Sequence, residues 1–147
     1  MARFAAIDVG SNAMRLRVVE ALSPDQVREV AAERAPVRLG HDVFLTGRLA
    51  PSAALEAVDA LKAFRDVMKE AGVDGYRAVA TSAVREAQNA ALLVERAERE
   101  AGIKLDVIEG VEEARLVLVA VRHAIDLKGR RALLVDIGGG SVELTLL

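Results

Sequence analysis

The sequence predicts an α/β protein in which a mixed sheet is flanked by helices. Three observations lead to this prediction: β-type segments open the chain, helical and β-type segments then alternate, and 147 residues are enough to bury a core. Hydrophobic residues make up 52% of the chain and charged residues 29%, which excludes a disordered or fibrous protein. The predicted element order is βββαβαβα followed by a ββ hairpin.

The first third of the chain is predicted to form three strands. Residues 4–9 are a short apolar run that ends in small turn residues, as is typical of a buried strand. Residues 14–21 alternate between apolar and polar positions, so we expect them to return as the second strand of a hairpin. Residues 27–39 are alternating and β-branched, and we expect a third strand that bulges or ends near Pro36.

A long helix is predicted next, with Ser52 as its N-cap and Gly72 as its end. Apolar residues recur at helical spacing between these two positions. They are Leu55, Val58, Leu61, Phe64 and Met68.

The following segments are predicted to alternate strand and helix. Residues 76–80 and 104–108 have the pattern of short strands, and residues 86–101 that of an alanine-rich helix ending at Gly102. The last helix is predicted over residues 111–125. Since its middle has almost no polar side, we expect this helix to be packed on more than one side.

The chain closes with a pattern that repeats its beginning. A buried strand at residues 132–137, a glycine turn and a strand at 142–147 form a second hairpin. Asp136 aligns with Asp8 without gaps, which indicates a duplicated domain. We therefore predict a complete first lobe over residues 1–127 and the start of an incomplete second lobe over residues 128–147.

Composition excludes several classes of protein and site. The chain has no cysteine, which excludes disulfides, thiolate metal sites and a cysteine nucleophile, and favours a reducing cytoplasm. Its net charge of -2 gives no positive excess for nucleic-acid or membrane binding. No uncharged stretch approaches the roughly 18 residues of a membrane span. We expect a soluble cytoplasmic protein with neither a membrane nor a nucleic-acid partner.

Both hairpins have the features of a phosphate-binding loop. Asp8 and Asp136 each end a buried strand and are followed by glycine and small polar residues. Glycine allows positive φ and close approach, so that backbone N–H groups can point at a phosphate. A carboxylate beside that anion favours an intervening Mg²⁺. A plain hairpin with glycine in its turn would explain either loop alone, but the matched pair favours phosphate binding.

Charged side chains near two helix starts are further candidates. Arg85 follows two hydroxyl residues where a strand leads into a helix, and its guanidinium could bind phosphate, although an ordinary surface arginine is the alternative. Glu112 and Glu113 lie in the first turn of the last helix, where carboxylates complement the helix dipole. That effect explains at least one of them, and the other could be a general base.

Four motifs in this order resemble the signatures of the exopolyphosphatase and guanosine pentaphosphate phosphohydrolase (Ppx/GppA) family. They are DVGSN at residues 8–12, ATSAVREAQN at 80–89, EGVEEARL at 109–116 and DIGGGSVEL at 136–144. The resemblance covers essentially the whole chain. It implies a ribonuclease-H-like lobe of the actin-like ATPase superfamily, with substrate bound between two lobes.

The resemblance also implies roles for individual residues. Glu113 would be the base that activates water, and Arg85 a phosphate ligand acting beside it. Asp136 and Glu143 would lie around Mg²⁺ and the terminal phosphate. The residues implied to hold phosphate are Asp8, Gly10, Ser11, Asn12, Gly138, Gly139, Gly140 and Ser141.

The expected function is hydrolysis of the terminal phosphate of inorganic polyphosphate or guanosine pentaphosphate. Because the family's enzymes continue into a completed second lobe, we expect this chain to be an N-terminal lobe or a naturally short paralogue, inactive alone. The missing lobe is then one partner, and the apolar edge strand at residues 142–147 predicts a homo-oligomer as another. The alternatives are a non-enzymatic phosphate- or nucleotide-binding module and a related ATPase or kinase lobe.

Overall fold

The structure, a computed structural model, describes residues 1–23 and 26–147 and forms two sheets with helices around the larger one. The elements in chain order are β1 (Arg3–Val9), β2 (Met14–Ser23), β3 (Gln26–Ala35), α1 (Leu39–Thr46), α2 (Pro51–Glu70), β4 (Gly75–Ala80), α3 (Ser82–Glu86), α4 (Ala90–Arg96), a π-helical turn (Ala97–Ala101), β5 (Leu105–Val107), α5 (Gly110–Ala124), β6 (Leu133–Ile137) and β7 (Val142–Leu146).

The larger sheet has five strands in the order β3-β2-β1-β4-β5. β1 pairs antiparallel with β2 and parallel with β4, so the sheet is mixed as predicted. Apolar side chains that alternate along β1 and β2 are buried on one face, among them Ile7, Leu16 and Val18. This arrangement puts the carboxyl ends of β1 and β4 side by side at one edge, where the candidate site lies.

α2 covers that buried face and confirms the predicted helix. Val58, Leu61 and Phe64 lie on its buried stripe, and Leu61 is 0% exposed. The predicted N-cap is wrong: the helix begins at Pro51 with Ala50 before it. Proline suits the first helical position because its fixed φ matches the helix and its missing N–H would have no partner there.

The prediction of a strand reaching residue 39 is also wrong. β3 ends at Ala35, and Leu39–Thr46 forms α1 instead. Pro36 cannot donate to a strand ladder, which ends the pairing before the helix. α1 buries Leu39 and Val43 in the core and ends at Gly47, whose φ of 74° is in the left-handed region.

The single helix predicted over residues 86–101 is interrupted: α3 ends at Glu86, and α4 with the π-helical turn covers residues 90–101. Ala87 is extended, and Asn89 explains the interruption: its side-chain oxygen accepts from the Leu49 N–H at 2.8 Å, and its amide donates to the Leu49 carbonyl at 3.0 Å. The predicted end at Gly102 is confirmed, with φ at 67°.

α5 is less buried than its apolar middle predicts. None of its residues is buried, and Val111 is 84% exposed. It contacts β6 and β7, and Glu112 in its first turn pairs with Arg77 of β4 at 3.3 Å. In addition, no helix among residues 1–23 and 26–147 combines the length and the apolar character needed to cross a bilayer.

The smaller sheet, β6 with β7, reproduces the β1–β2 hairpin. Gly10 N–H donates to the Ala13 carbonyl at 3.2 Å, and Gly138 N–H donates to the Ser141 carbonyl at 2.9 Å. Asp136 lies opposite Glu143 in the second ladder, at the position that Asp8 has in the first. The repeat inferred from the sequence is thus present in the backbone pairing. The division into lobes at residues 127 and 128 stays a prediction.

Candidate active site

The two matched loops line one cavity of about 450 Å³. From the sequence-predicted set, the cavity is lined by Asp8, Gly10, Ser11, Asn12, Glu113, Asp136, Gly138, Gly139 and Ser141. Residues distant in sequence therefore meet at one place. The remaining predicted residues, Arg85, Gly140 and Glu143, do not line this cavity.

Gly139 and Gly140 of the second loop allow close approach to neighbouring side chains. Gly10 and the glycines of the second loop all lie outside the positive-φ region, so the expected conformational reason is wrong for them. A methyl group at Gly139 would lie 2.5 Å from the Asn12 side-chain nitrogen. A methyl group at Gly140 would collide with the ring of Phe44. The second loop therefore packs directly against the first loop and α1.

Ser11 ties the first loop to two helices. Its hydroxyl is 2.8 Å from the hydroxyl of Ser82 at the start of α3, and its carbonyl accepts from the Gly40 N–H of α1 at 2.8 Å. Ser11 and Ser82 are both buried. Because buried hydrogen bonds hold the loop from two sides, its backbone has little freedom to move when a ligand binds.

The neighbouring carboxylates Glu112 and Glu113 have different surroundings. Glu112 is in ion pairs with Arg115, 2.6 Å away, and with Arg77, 3.3 Å away. The Arg115 hydrogen bond, with help from Arg77, lowers the pKa of Glu112 to about 2. Glu113 instead lines the cavity. Only one member of the pair therefore faces the space between the loops.

Glu113 is held by Arg85. The Arg85 guanidinium donates to the Glu113 carboxylate at 3.1 Å and to the Ile108 carbonyl at 2.9 Å. Burial raises the pKa of Glu113; Arg85 opposes this effect, and the negative charge of Glu143 adds to it. A carboxylate whose pKa is raised in this way is better suited to accept a proton near neutral pH.

Three further carboxylates lie on the two hairpins: Asp8 on β1, Asp136 on β6 and Glu143 on β7. Burial raises the pKa of Asp8, Arg15 lowers it, and Asp136 raises it. Asp136 and Glu143 lie directly opposite in the β6–β7 ladder, an arrangement in which like charges repel. Within the described ranges, no group of three or more His, Asp or Glu side chains could hold a metal alone. One or two carboxylates still fit Mg²⁺ when phosphate oxygens and water supply its other ligands.

Two further cationic side chains line the cavity that were not singled out from the sequence. Arg15 of β2 and Arg34 of β3 lie opposite one another in the sheet. Thr81 and Ser82, the hydroxyl residues noted beside Arg85, line it too. The alternation of β2 predicts which face Arg15 occupies, but the register that brings Arg34 beside it depends on the pairing of β3.

Comparison with known proteins identifies the family. The Ppx/GppA phosphatase family matches residues 18–147. Exopolyphosphatase 1 from Mycobacterium leprae is 35% identical over 97% of this chain and 42% of that protein. The guanosine-5'-triphosphate,3'-diphosphate pyrophosphatase of Aliivibrio fischeri is 36% identical over 97% of this chain and 28% of that protein. The chain thus spans less than half the length of these relatives.

Solved structures of related proteins superimpose closely on this chain. An exopolyphosphatase from Cytophaga hutchinsonii superimposes with a TM-score of 0.93 at 34% identity, covering 98% of this chain and 46% of that one. The PPX-GPPA enzyme of Aquifex aeolicus superimposes with a TM-score of 0.88 at 34% identity, covering 99% of this chain and 48% of that one. The predicted ribonuclease-H-like fold is confirmed, and the chain belongs to the Ppx/GppA phosphatase family.

Proposed function

We propose that this chain is the N-terminal lobe of a phosphohydrolase that removes the terminal phosphate of inorganic polyphosphate or guanosine pentaphosphate. The observation that supports the proposal is the cavity between the repeated loops, which Glu113 faces while Glu112 does not. The relatives, named for these two substrates, cover nearly the whole chain. A cytoplasmic location belongs to the same proposal.

Phosphate binding is assigned to the loops. Loop backbone N–H groups other than those of Gly10 and Gly138, which close the hairpins, would contact the phosphate oxygens together with the hydroxyls of Ser11 and Ser141. Because their positions are fixed by hydrogen bonds within the fold, these donors need little reorganisation as charge develops in the transition state.

The chemical step is assigned to Glu113. A water oxygen attacks the terminal phosphorus while its proton passes to the Glu113 carboxylate. The bond from phosphorus to the bridging oxygen breaks, and that oxygen leaves with the shortened chain. Arg85 would orient the carboxylate through their 3.1 Å contact and add positive charge near the phosphate.

Mg²⁺ is the proposed cofactor, held by Asp136 and Glu143 together with phosphate oxygens. When bound, it would neutralise phosphate charge that the carboxylates alone would repel. The chemical support is the set of neighbouring carboxylates: Asp136 raises the pKa of Asp8, and Glu143 raises that of Glu113.

The catalytic assignment is tested by Glu113→Gln with Glu112→Gln as the matched control, in a protein whose second lobe is complete. The first substitution should abolish phosphate release with polyphosphate binding nearly unchanged, and the second should leave turnover within severalfold of the wild-type rate. Equal losses from both variants would contradict the assignment of the base.

We further propose that the 147-residue chain alone has negligible turnover, because one wall of a cleft neither excludes water nor clamps a phosphate chain. Steady phosphate release by the purified chain, abolished by Glu113→Gln, would refute the proposed inactivity.

The partner proposed to complete the structure would cover one face of the β6–β7 hairpin. Three cross-strand pairs expose apolar side chains on this face: Leu133 with Leu146, Val135 with Leu144, and Ile137 with Val142. The rest of a second lobe would cover this face in a longer protein, and a second copy would cover it in the chain alone.

Sedimentation should show concentration-dependent dimers that Leu144→Lys disrupts. A strict monomer at high concentration would contradict the second-copy proposal.

A further inference from the structure

A second cavity of about 680 Å³ adjoins the one between the loops. Asn12, Arg34 and Gly139 line both cavities, so the two meet where the loops touch. The outer wall of the second cavity comes from Arg38, which precedes α1, and from α1 itself, including Phe44. None of the roles assigned to the loops uses this wall.

The second cavity is positively charged. Arg34 and Arg38 line it, and in the part of the chain that the structure describes neither forms a salt bridge and no carboxylate lines the cavity. By contrast, Arg17 of β2 pairs with Glu29 of the neighbouring strand β3 at 3.1 Å. The two guanidinium groups therefore retain their capacity to bind an anion.

The sheet register strengthens this point. Arg34 lies directly opposite Arg15, an arrangement in which like charges destabilise the sheet. Among the described residues, the one ion pair of Arg15 is a 3.8 Å contact with Asp8, and it is weak because both side chains are about half exposed. An anion bound beside Arg34 would relieve the repulsion between the two arginines.

We propose that Arg34 and Arg38 form a second subsite, which binds the phosphates that follow the terminal one in an unbranched polyphosphate chain. The proposal rests on the proposed function, because the terminal phosphate must lie between the loops for the chain to reach this cavity. Arg34, at the junction, contacts the first of these following phosphates, and Arg38 contacts those farther along.

A linear polyanion fits this cavity better than a single phosphate does. Two guanidinium groups on separate elements, β3 and the start of α1, can each contact a different phosphate of one chain. Binding a chain of high charge density also releases its condensed counterions, so affinity should rise with chain length and fall with salt.

The test compares pyrophosphate with a long polyphosphate by titration calorimetry on the 147-residue chain, wild type and the double variant Arg34→Gln/Arg38→Gln. We expect the double variant to bind long polyphosphate about tenfold more weakly, with a clearly smaller loss for pyrophosphate, because Arg34 also lines the cavity between the loops. The salt dependence should fall by roughly 0.7 to 0.9 in log–log slope for each arginine removed. Arg131→Gln is the matched control, because it removes the same charge at the opposite end of β6 from the loop and should change neither affinity.

The outcomes separate this proposal from the proposed function. Unchanged polyphosphate binding in the double variant, or an equal loss for both ligands, would overturn the subsite. Wild-type protein that binds long polyphosphate through these arginines but does not bind pyrophosphate would overturn the loop assignment and leave the subsite standing. Wild-type protein that binds neither ligand would overturn both.

Discussion

Gly40→Ala tests whether α1 positions the first phosphate loop. Gly40 is buried in the first turn of α1, where its N–H donates to the Ser11 carbonyl at 2.8 Å. An added methyl group would lie 2.6 Å from a ring carbon of Phe44 and 2.9 Å from the Ser11 Cβ. The Phe44 ring is 42% exposed and can rotate away, but Ser11 is buried and hydrogen-bonded, so the contact with Ser11 decides the outcome.

Two opposing terms set the size of the effect on stability. Alanine is favoured over glycine inside a helix by about 0.8 to 1 kcal/mol, whereas overpacking a well-filled site costs about 1 to 3 kcal/mol. We therefore expect Gly40→Ala to lower the free energy of unfolding by about 1 kcal/mol, or Tm by about 2 to 4 °C. Because the displaced atom belongs to the phosphate loop, pyrophosphate should also bind more weakly.

The measurement is urea unfolding followed by pyrophosphate titration, with Gly110→Ala as the control. At Gly110 the nearest atom to an added methyl group is an Arg85 nitrogen 4.0 Å away, so only the helix preference acts and stability should be unchanged or slightly higher. A Gly40→Ala protein as stable as the control, with unchanged pyrophosphate affinity, would refute the reasoning.

Three further predictions concern the core and the carboxylates. Leu61→Ala should lower the free energy of unfolding by about 2 to 5 kcal/mol, because Leu61 is fully buried on α2; a smaller loss in urea unfolding would contradict its place in the core. Folding raises the pKa of Asp8, so its charged form opposes folding above that pKa. Asp8→Asn should therefore stabilise the chain at pH 7. The gain should be less than about 1 kcal/mol, because water screens this half-exposed side chain. Unfolding curves recorded below pH 3.8, the ordinary pKa of this group, should show no gain in stability. Arg85→Gln should raise the pKa of Glu113 further, because the guanidinium lowers it; a carboxyl ¹³C NMR titration showing a lower pKa would exclude the ion pair.

The sequence alone was sufficient for features whose determinants lie close together along the chain. The β1–β2 hairpin, its repeat in β6–β7 and the helix up to Glu70 follow from alternation, helical spacing and turn residues. The two loops could also be matched to each other, because Asp8 and Asp136 occupy equivalent positions in the same local pattern. These patterns act within one element, so the linear order of residues contains them.

Only the tertiary structure decided the features that depend on contacts between distant residues. Asn89 interrupts a helix because it binds the backbone of Leu49. Glu113 differs from Glu112 in part because Arg85 of α3 contacts Glu113, whereas Arg77 of β4 contacts Glu112. The second cavity likewise forms where the register of β3 meets the start of α1. Helical or strand periodicity specifies which face a side chain occupies, but which distant partner that face meets depends on how the elements pack.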